Sequence, residues 1–397
     1  MGLRVNHNLD VQVTDLGSLG SGALMAGTAP SAIGAMLDGL ATPAAVVDLD
    51  VLQANLARAA SYARDHQLAL RPHTKTHKAP GLAAEQLRLG AVGVTVATAR
   101  EAEVMAPVAG DVLVAYPPVD PARIARLVRL PPAVRLTVAL DSEESLRRLA
   151  AAAAAAGRDA GVLVELDLGM HRTGVQSPAE ALALAQLARR LDHIEYRGVM
   201  FYPGHVRQHV DAQLPELQQL NVTLDTFLAA LAAANLTPEV VSGGSTPTLF
   251  HSHLVPRQTE IRPGTYVYND RTTAAVGACA WEDCAYSVLA TVVSTAVPGQ
   301  AVVDAGSKAL NREDIRGGVA APGYGALLDR PDVCVKAMSE EHGLLDLTNT
   351  DWRPRVGDRV RIVPNHVCIS VNLHTRIYGV RGTTIERTWE VVARGWQ

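Results

Sequence analysis

Four cysteines in 397 residues, Cys279, Cys284, Cys334 and Cys368, are too few for a disulfide scaffold, so a reducing cytoplasm is the expected compartment. No run of 18 apolar residues is free of charges or helix breakers, and no membrane span is expected. A net charge of -4 leaves no basic excess to attract nucleic acid. The chain does not open with a basic segment followed by an unbroken apolar run, so residues 1–40 do not read as a signal peptide. Rich in Gly, Ala and Ser, they read as an arm that packs on the body or on a second subunit. What remains is 48% apolar and long enough for two domains, or for one large barrel with an addition.

From residue 68 onward, apolar runs alternate with segments of helical spacing. Strands are expected at 68–71, 92–97, 112–116, 134–140, 161–167, 194–202, 239–242 and within 258–268. Helices are expected at 79–89, 100–108, 121–130, 143–156, 178–191, 214–234 and, as a short one, 246–253. Eight strands alternating with helices predict an α/β fold, a parallel (β/α)8 TIM-like barrel, within a domain at 41–270. After residue 270 the segments are β-rich, glycine-punctuated and without a long helix, which predicts a second, antiparallel β-domain at 271–397. A strand at 44–49 precedes the barrel and could join that second domain.

Chemistry gathers where the barrel strands end, the face on which such barrels carry their active sites. The first strand runs into Arg71-Pro-His-Thr-Lys-Thr-His-Lys78, three cations and two histidines in eight residues. A lysine among other cations loses its proton more readily, and a neutral Lys75 can form a Schiff base with an aldehyde cofactor. Later strand ends carry Arg172, Tyr202, the turn Gly243-Gly244-Ser245-Thr246, and Tyr268. That turn, opening a helix, suits a phosphate. Together these residues fit pyridoxal 5'-phosphate: an anchoring lysine, a phosphate turn, a group facing the ring nitrogen, and tyrosines that fix the ring. His366 and Cys368, one residue apart at the end of a strand, point to one face and offer a nitrogen and a sulfur to a borderline-soft ion such as zinc. Two ligands leave the rest of the shell to water or substrate.

Over residues 41–395 the chain resembles the D-threonine aldolase and D-serine dehydratase family of pyridoxal-phosphate enzymes with the alanine-racemase-like (fold type III) barrel. The marks are the 71–78 octet, Gly243-Gly244-Ser245-Thr246, Val303-Asp-Ala-Gly306, Glu341-His-Gly343 and Pro364-Asn-His-Val-Cys368. The resemblance implies that Lys75 carries the cofactor, that Arg172 faces the pyridine nitrogen, and that His366 and Cys368 hold a divalent ion: zinc, or manganese, magnesium or cobalt. It implies a homodimer acting on D-3-hydroxy amino acids. Two outcomes stay open, retro-aldol cleavage of D-threonine-like substrates and dehydration of D-serine or 3-hydroxyaspartate. Cys368 resembles the dehydratases. The stretch Tyr202-Pro-Gly204-His-Val-Arg-Gln208-His209 resembles the aldolases, apart from one extra residue, and makes Tyr202 and His209 candidates to take the hydroxyl proton. An amino-acid racemase and a non-catalytic cofactor carrier are the readings from other classes. The metal pair argues against the first, the added β-domain against the second.

Overall fold

A computed structural model describes residues 32–315 and 322–395. The first 31 residues of the expected arm lie outside the described residues.

The chain enters through residues 34–37, which pair with the last hairpin, and then forms β1 (Ala44–Asp48). Asp48 ends this strand by capping α1 (Leu49–Asp65), its carboxylate accepting from the amides of Asp50 and Val51. Eight parallel strands follow: β2 (Ala69–Leu70), β3 (Val94–Val96), β4 (Asp111–Val114), β5 (Arg135–Leu140), β6 (Ala160–Leu166), β7 (Ile194–Phe201), β8 (Val240–Gly243) and β9 (Glu260–Ile261). They lie in the order β2-β9-β8-β7-β6-β5-β4-β3. The ring closes between β2 and β3, where Val92 N donates to Leu70 O (2.9 Å) and Thr95 N to Pro72 O (2.8 Å).

The helices between them are α2 (Pro80–Arg88), α3 (Ala99–Met105), α4 (Pro121–Val128), α5 (Glu143–Ala156), α6 (Pro178–Arg190) and α7 (Leu214–Ala233). Their limits are set by local chemistry. Asp120 caps α4 with Pro121 in its first turn, and Ser177 with Glu180 forms a capping box on α6. Gly157, at φ 60°, ends α5 in the left-handed region.

Strand alternation sorts the side chains. Val162, Val164 and Leu166 of β6 join the layer under the helices, while Leu163 meets Leu113, Ala139 and Met200 inside the barrel. Buried polar groups share that interior. Arg71 binds Glu260 (2.6 Å) and Asp111 (2.7 Å), and Ser242 Oγ donates to Glu260 (2.6 Å).

After α8 (Arg271–Ala275) the second sheet begins. It comprises β10 (Tyr286–Ser294), β11 (Gln300–Val303), β12 (Gly325–Leu327), β13 (Arg330–Met338), β14 (Gly343–Asp346), β15 (Arg359–Pro364), β16 (Arg376–Arg381) and β17 (Thr384–Glu390), with short helices α9 (Ser307–Leu310) and α10 (Val367–Leu373). The order is β11-β14-β13-β12-β15-β10-β1-β16-β17, and β10 pairs β11 again, closing six strands on themselves. β1 sits between β10 and β16 rather than in the first barrel, and its pairing with β16 is parallel in an otherwise antiparallel sheet. Among the described residues no helix is long and apolar enough to cross a membrane.

Candidate active site

At the C-terminal ends of the barrel strands lies a cavity of about 420 Å³, lined by both halves of the molecule. Lys75 reaches it from a 3-10 turn, Thr74–Thr76, which β2 enters through His73. The other two cations of the octet are already paired. Arg71 is held by Glu260 and Asp111, and Lys78 by Glu101 at 3.0 Å. The cationic surroundings expected from the sequence therefore come from across the cavity, from Arg172, Arg207 and Arg262.

Arg172 leaves β6 on a loop pinned by Asp167, whose Oδ1 accepts from the amides of Gly169 (2.9 Å) and His171 (3.0 Å). Although its partial burial works the other way, these bonds, with those from Gln176 and the His171 ring, hold the Asp167 carboxyl down at about 2. Arg172 itself is exposed and stacks on Tyr202, its guanidinium carbon 4.9 Å from the ring centre. Arg262, by contrast, is buried. Its Nη2 donates to Phe201 O (2.6 Å), and its Nε has no hydrogen-bond partner. Burial lowers its pKa to about 10, against the pull of Glu260 and Glu165, so it stays charged near neutrality. Arg172, which the sequence pointed to as the guanidinium facing the ring, and Arg262 both line the cavity.

The Ser245-Thr246 turn lines the cavity. It does not open an α-helix, as expected, because Ser245 and Thr248 bond each other (Oγ to Oγ1, 3.0 Å) and a 3-10 helix, Leu249–Leu254, begins only beyond them. Gly243 and Gly244 sit behind the turn and do not line the cavity. A Cβ on Gly243 would lie 2.2 Å from the Phe201 ring, so packing alone demands glycine there. Gly264, on the cavity wall, is a second close approach: a Cβ would come within 2.7 Å of Thr76 Oγ1 and 3.1 Å of His73 O.

Two expected residues are elsewhere. Tyr268 is fully buried outside the cavity, packed on Tyr286 at 5.6 Å, because the 3-10 turn Thr265–Val267 carries the chain inward before it. His209 does not line the cavity; its half-exposed ring lies 3.3 Å from Asp211, at the cap of another 3-10 turn, Val210–Ala212.

His366 and Cys368 do meet in the cavity, but not as neighbours on a strand. β15 ends at Pro364, and His366 caps α10, which Cys368 enters. The strand-to-helix turn brings them together and ties them to Asp270. Asp270 Oδ2 accepts from His366 Nδ1 (3.1 Å) and Val367 N (3.1 Å), while Oδ1 accepts from Thr273 N (2.8 Å). Thr76 Oγ1 lies 3.3 Å from Cys368 Sγ, one residue from Lys75. Burial disfavours charge on both groups, yet the imidazole beside the thiol brings Cys368 down to about 7, and the thiolate together with Asp270 takes His366 up to about 10. The pair leans toward thiolate and imidazolium, and a thiolate is the form that binds a metal. Among the described residues no three His, Cys, Asp or Glu side chains could hold a metal unaided.

Sequence reasoning missed His73, Glu165, Arg207, Arg262 and Asp270, all of which line the cavity. A signal existed for two of them. Glu165 interrupts an apolar run, and Arg262 follows Glu260 at the two-residue spacing that returns to the same face. With Glu165 bonded to Thr173 Oγ1 (2.8 Å) and Asp270 committed to His366, the cavity is cationic on balance. The unpartnered Nε of Arg262, the hydroxyls of Ser245 and Thr246 and the tight approach at Gly264 fit an anionic, planar cofactor with a phosphate.

A family model described as the alanine racemase N-terminal domain matches residues 47–272. The chain belongs to this family. A second model, a putative serine dehydratase domain, matches residues 285–380, so the family's barrel is here joined to that domain. The chain is 32% identical over 361 residues to a D-threonine aldolase of an Arthrobacter species, covering 89% of this chain and 93% of the relative. The crystal structure of a D-threonine aldolase from Filomicrobium marinum superposes with a TM-score of 0.85 at 34% identity, covering 92% of this chain and 99% of that one. The metal-free form of a cysteine-to-alanine variant of D-threo-3-hydroxyaspartate dehydratase superposes with a TM-score of 0.83 at 33% identity, covering 91% and 100%. The family implies pyridoxal phosphate as cofactor, as the sequence resemblance did.

Proposed function

We propose that the protein is a pyridoxal-phosphate- and divalent-metal-dependent lyase that splits D-3-hydroxy amino acids of the D-threonine kind into glycine and an aldehyde. One observation carries the reading: His366 and Cys368 line the same cavity as Lys75. Lys75 anchors the cofactor, the hydroxyls of Ser245 and Thr246 hold its phosphate, and Arg172 and Arg262 are the arginines available to its ring nitrogen. An arginine there keeps that nitrogen unprotonated and the ring a weak electron sink. When bound, pyridoxal phosphate draws electrons from the substrate's Cα. A divalent ion, zinc or one of the harder alternatives, would be held by His366 and Cys368 and would acidify the β-hydroxyl. Asp270 fixes the His366 ring through Nδ1, leaving Nε2 as the metal-facing nitrogen. Burial and the charges of Lys75 and Arg262 push the His73 pKa well below 6.5, so its imidazole stays neutral beside Lys75. Tyr202, under Arg172, forms the opposite wall.

Cys368 favours a second reading, dehydration, in which the hydroxyl leaves instead of losing its proton. One assay separates the two. Metal-loaded enzyme is given D-threonine, and glycine, acetaldehyde, 2-oxobutyrate and ammonia are measured. Glycine with acetaldehyde supports cleavage; 2-oxobutyrate and ammonia without glycine overturn it in favour of dehydration.

The same reading includes a cytoplasmic homodimer. Ile369 and Leu373, each 39% exposed on one face of α10 beside Cys368, support a second copy packing there. A monomeric mass in sedimentation, at a concentration where the enzyme is fully active, would sink it.

A further inference from the structure

The proposed chemistry leaves Thr76 of the octet without a task. We infer that Thr76 is a positioning residue for the metal pair: its hydroxyl donates to the Cys368 sulfur and holds it where the ion binds, one residue from Lys75. The inference rests on the proposed function and deepens it.

Thr76 is fully buried. Its Oγ1 lies 3.3 Å from Cys368 Sγ, and among the described residues that sulfur is its one hydrogen-bond partner. A buried hydroxyl without a partner is costly, and valine has the same shape without that need. The sulfur is therefore what a threonine at this position serves. A neutral thiol is a weak acceptor, whereas a thiolate, the form that binds a metal, is ionised and takes a stronger bond. A thiolate has no proton to give, so the hydroxyl is the donor.

The surroundings keep that hydroxyl in place. Its turn is tied down by Thr74, whose Oγ1 donates to Thr95 O (3.1 Å) and whose carbonyl accepts from Lys78 N (2.8 Å). Gly264 stands close on another side, where even a Cβ would come within 2.7 Å of Thr76 Oγ1. The next residue, Thr265, brings a second hydroxyl to 3.8 Å from the same sulfur. Two turns of the first barrel thus converge on a sulfur carried by α10. Each member of the metal pair has its own holder: Asp270 fixes the His366 ring, and Thr76 fixes the Cys368 sulfur.

The test titrates metal-stripped holoenzyme with cobalt(II), for the wild type, Thr76→Val and Thr76→Ser. Spectra are read as differences from the zinc-loaded protein. The wild type should develop a near-ultraviolet sulfur-to-cobalt charge-transfer band. In Thr76→Val that band should move to longer wavelength, because a sulfur without its hydrogen bond gives up charge more easily. Cobalt affinity should fall by roughly tenfold or more. Thr76→Ser keeps the hydroxyl and should restore both. A band that stays put in Thr76→Val overturns the inference and leaves the lyase reading standing, even if affinity falls, since that fall would mark a packing defect. A shift that Thr76→Ser does not reverse overturns it too. No band in the wild type overturns the metal pair and the inference with it, because Cys368 would then not be a ligand. If Thr76→Val does not fold, Thr76→Ala, which also lacks the hydroxyl, takes its place.

Discussion

Asp270 Oδ2 accepts from His366 Nδ1 at 3.1 Å across 96 residues of sequence, joining the end of the first barrel to the turn before α10. The carboxylate is fully buried and its other oxygen caps α8, so it has no freedom to serve another partner. It sets the tautomer and the tilt of the imidazole. Asp270→Ala should therefore weaken metal binding by about 10- to 100-fold, with the fold retained. Titration of the metal-stripped protein with zinc or manganese, read by calorimetry, checks this. Unchanged affinity would mean that His366 needs no orienting partner, or is not a ligand.

Lys75 is the lysine of the octet that faces the cavity, whereas Lys78 is held by Glu101 and Lys308 lies at the surface between Glu340 and Glu341. Borohydride reduction of the holoenzyme, followed by peptide mapping, should place the cofactor on Lys75. Lys75→Ala should lose the cofactor absorbance and essentially all activity. A label on Lys78 or Lys308 would refute the assignment.

Glu101 is a structural partner with a cost for its removal. It holds Lys78 at 3.0 Å and accepts from Ala97 N at 2.7 Å, with the two side chains 1% and 10% exposed. Glu101→Gln leaves a buried ammonium without its counter-charge and should cost about 3–5 kcal/mol. The urea midpoint of the apo-protein reports it. A loss under about 1 kcal/mol would show that Lys78 finds water instead.

His77 ties stability to pH. It is fully buried, bonded to Gln86 Oε1 (3.2 Å) and accepting from the amide of Ala79 (3.2 Å), and burial pulls its pKa from 6.5 to about 4 against the bond to Gln86. Below pH 6.5 the unfolded chain takes up a proton that the folded one refuses. Stability should therefore fall as pH drops from about 6.5 to about 4, by roughly 3 kcal/mol from this residue. His77→Gln should flatten that part of the pH profile in chemical denaturation. An equally steep profile in the variant would assign the effect to other groups.

Much of the architecture is written locally. Period-two and period-3.6 patterns, with Ser142, Ser177, Asp120 and Gly157 as caps and stops, fix the strands and helices within a few residues, because these preferences act over one or two turns. The octet, the Ser245-Thr246 turn and the His366/Cys368 pair were likewise visible as residue types at strand ends, and they do meet in one cavity. The sequence could not show which charges are already spent. Arg71 and Lys78 look as available as Lys75 until Glu260, Asp111 and Glu101 are folded against them. Nor could it show direction. Tyr268 turns into the core and His209 toward solvent, while Arg262 comes to the cavity buried and with a donor unused. A hydrogen-bond partner 96 residues away leaves no trace in local pattern, so the pairing of Asp270 with His366 exists only once the two sheets are packed together.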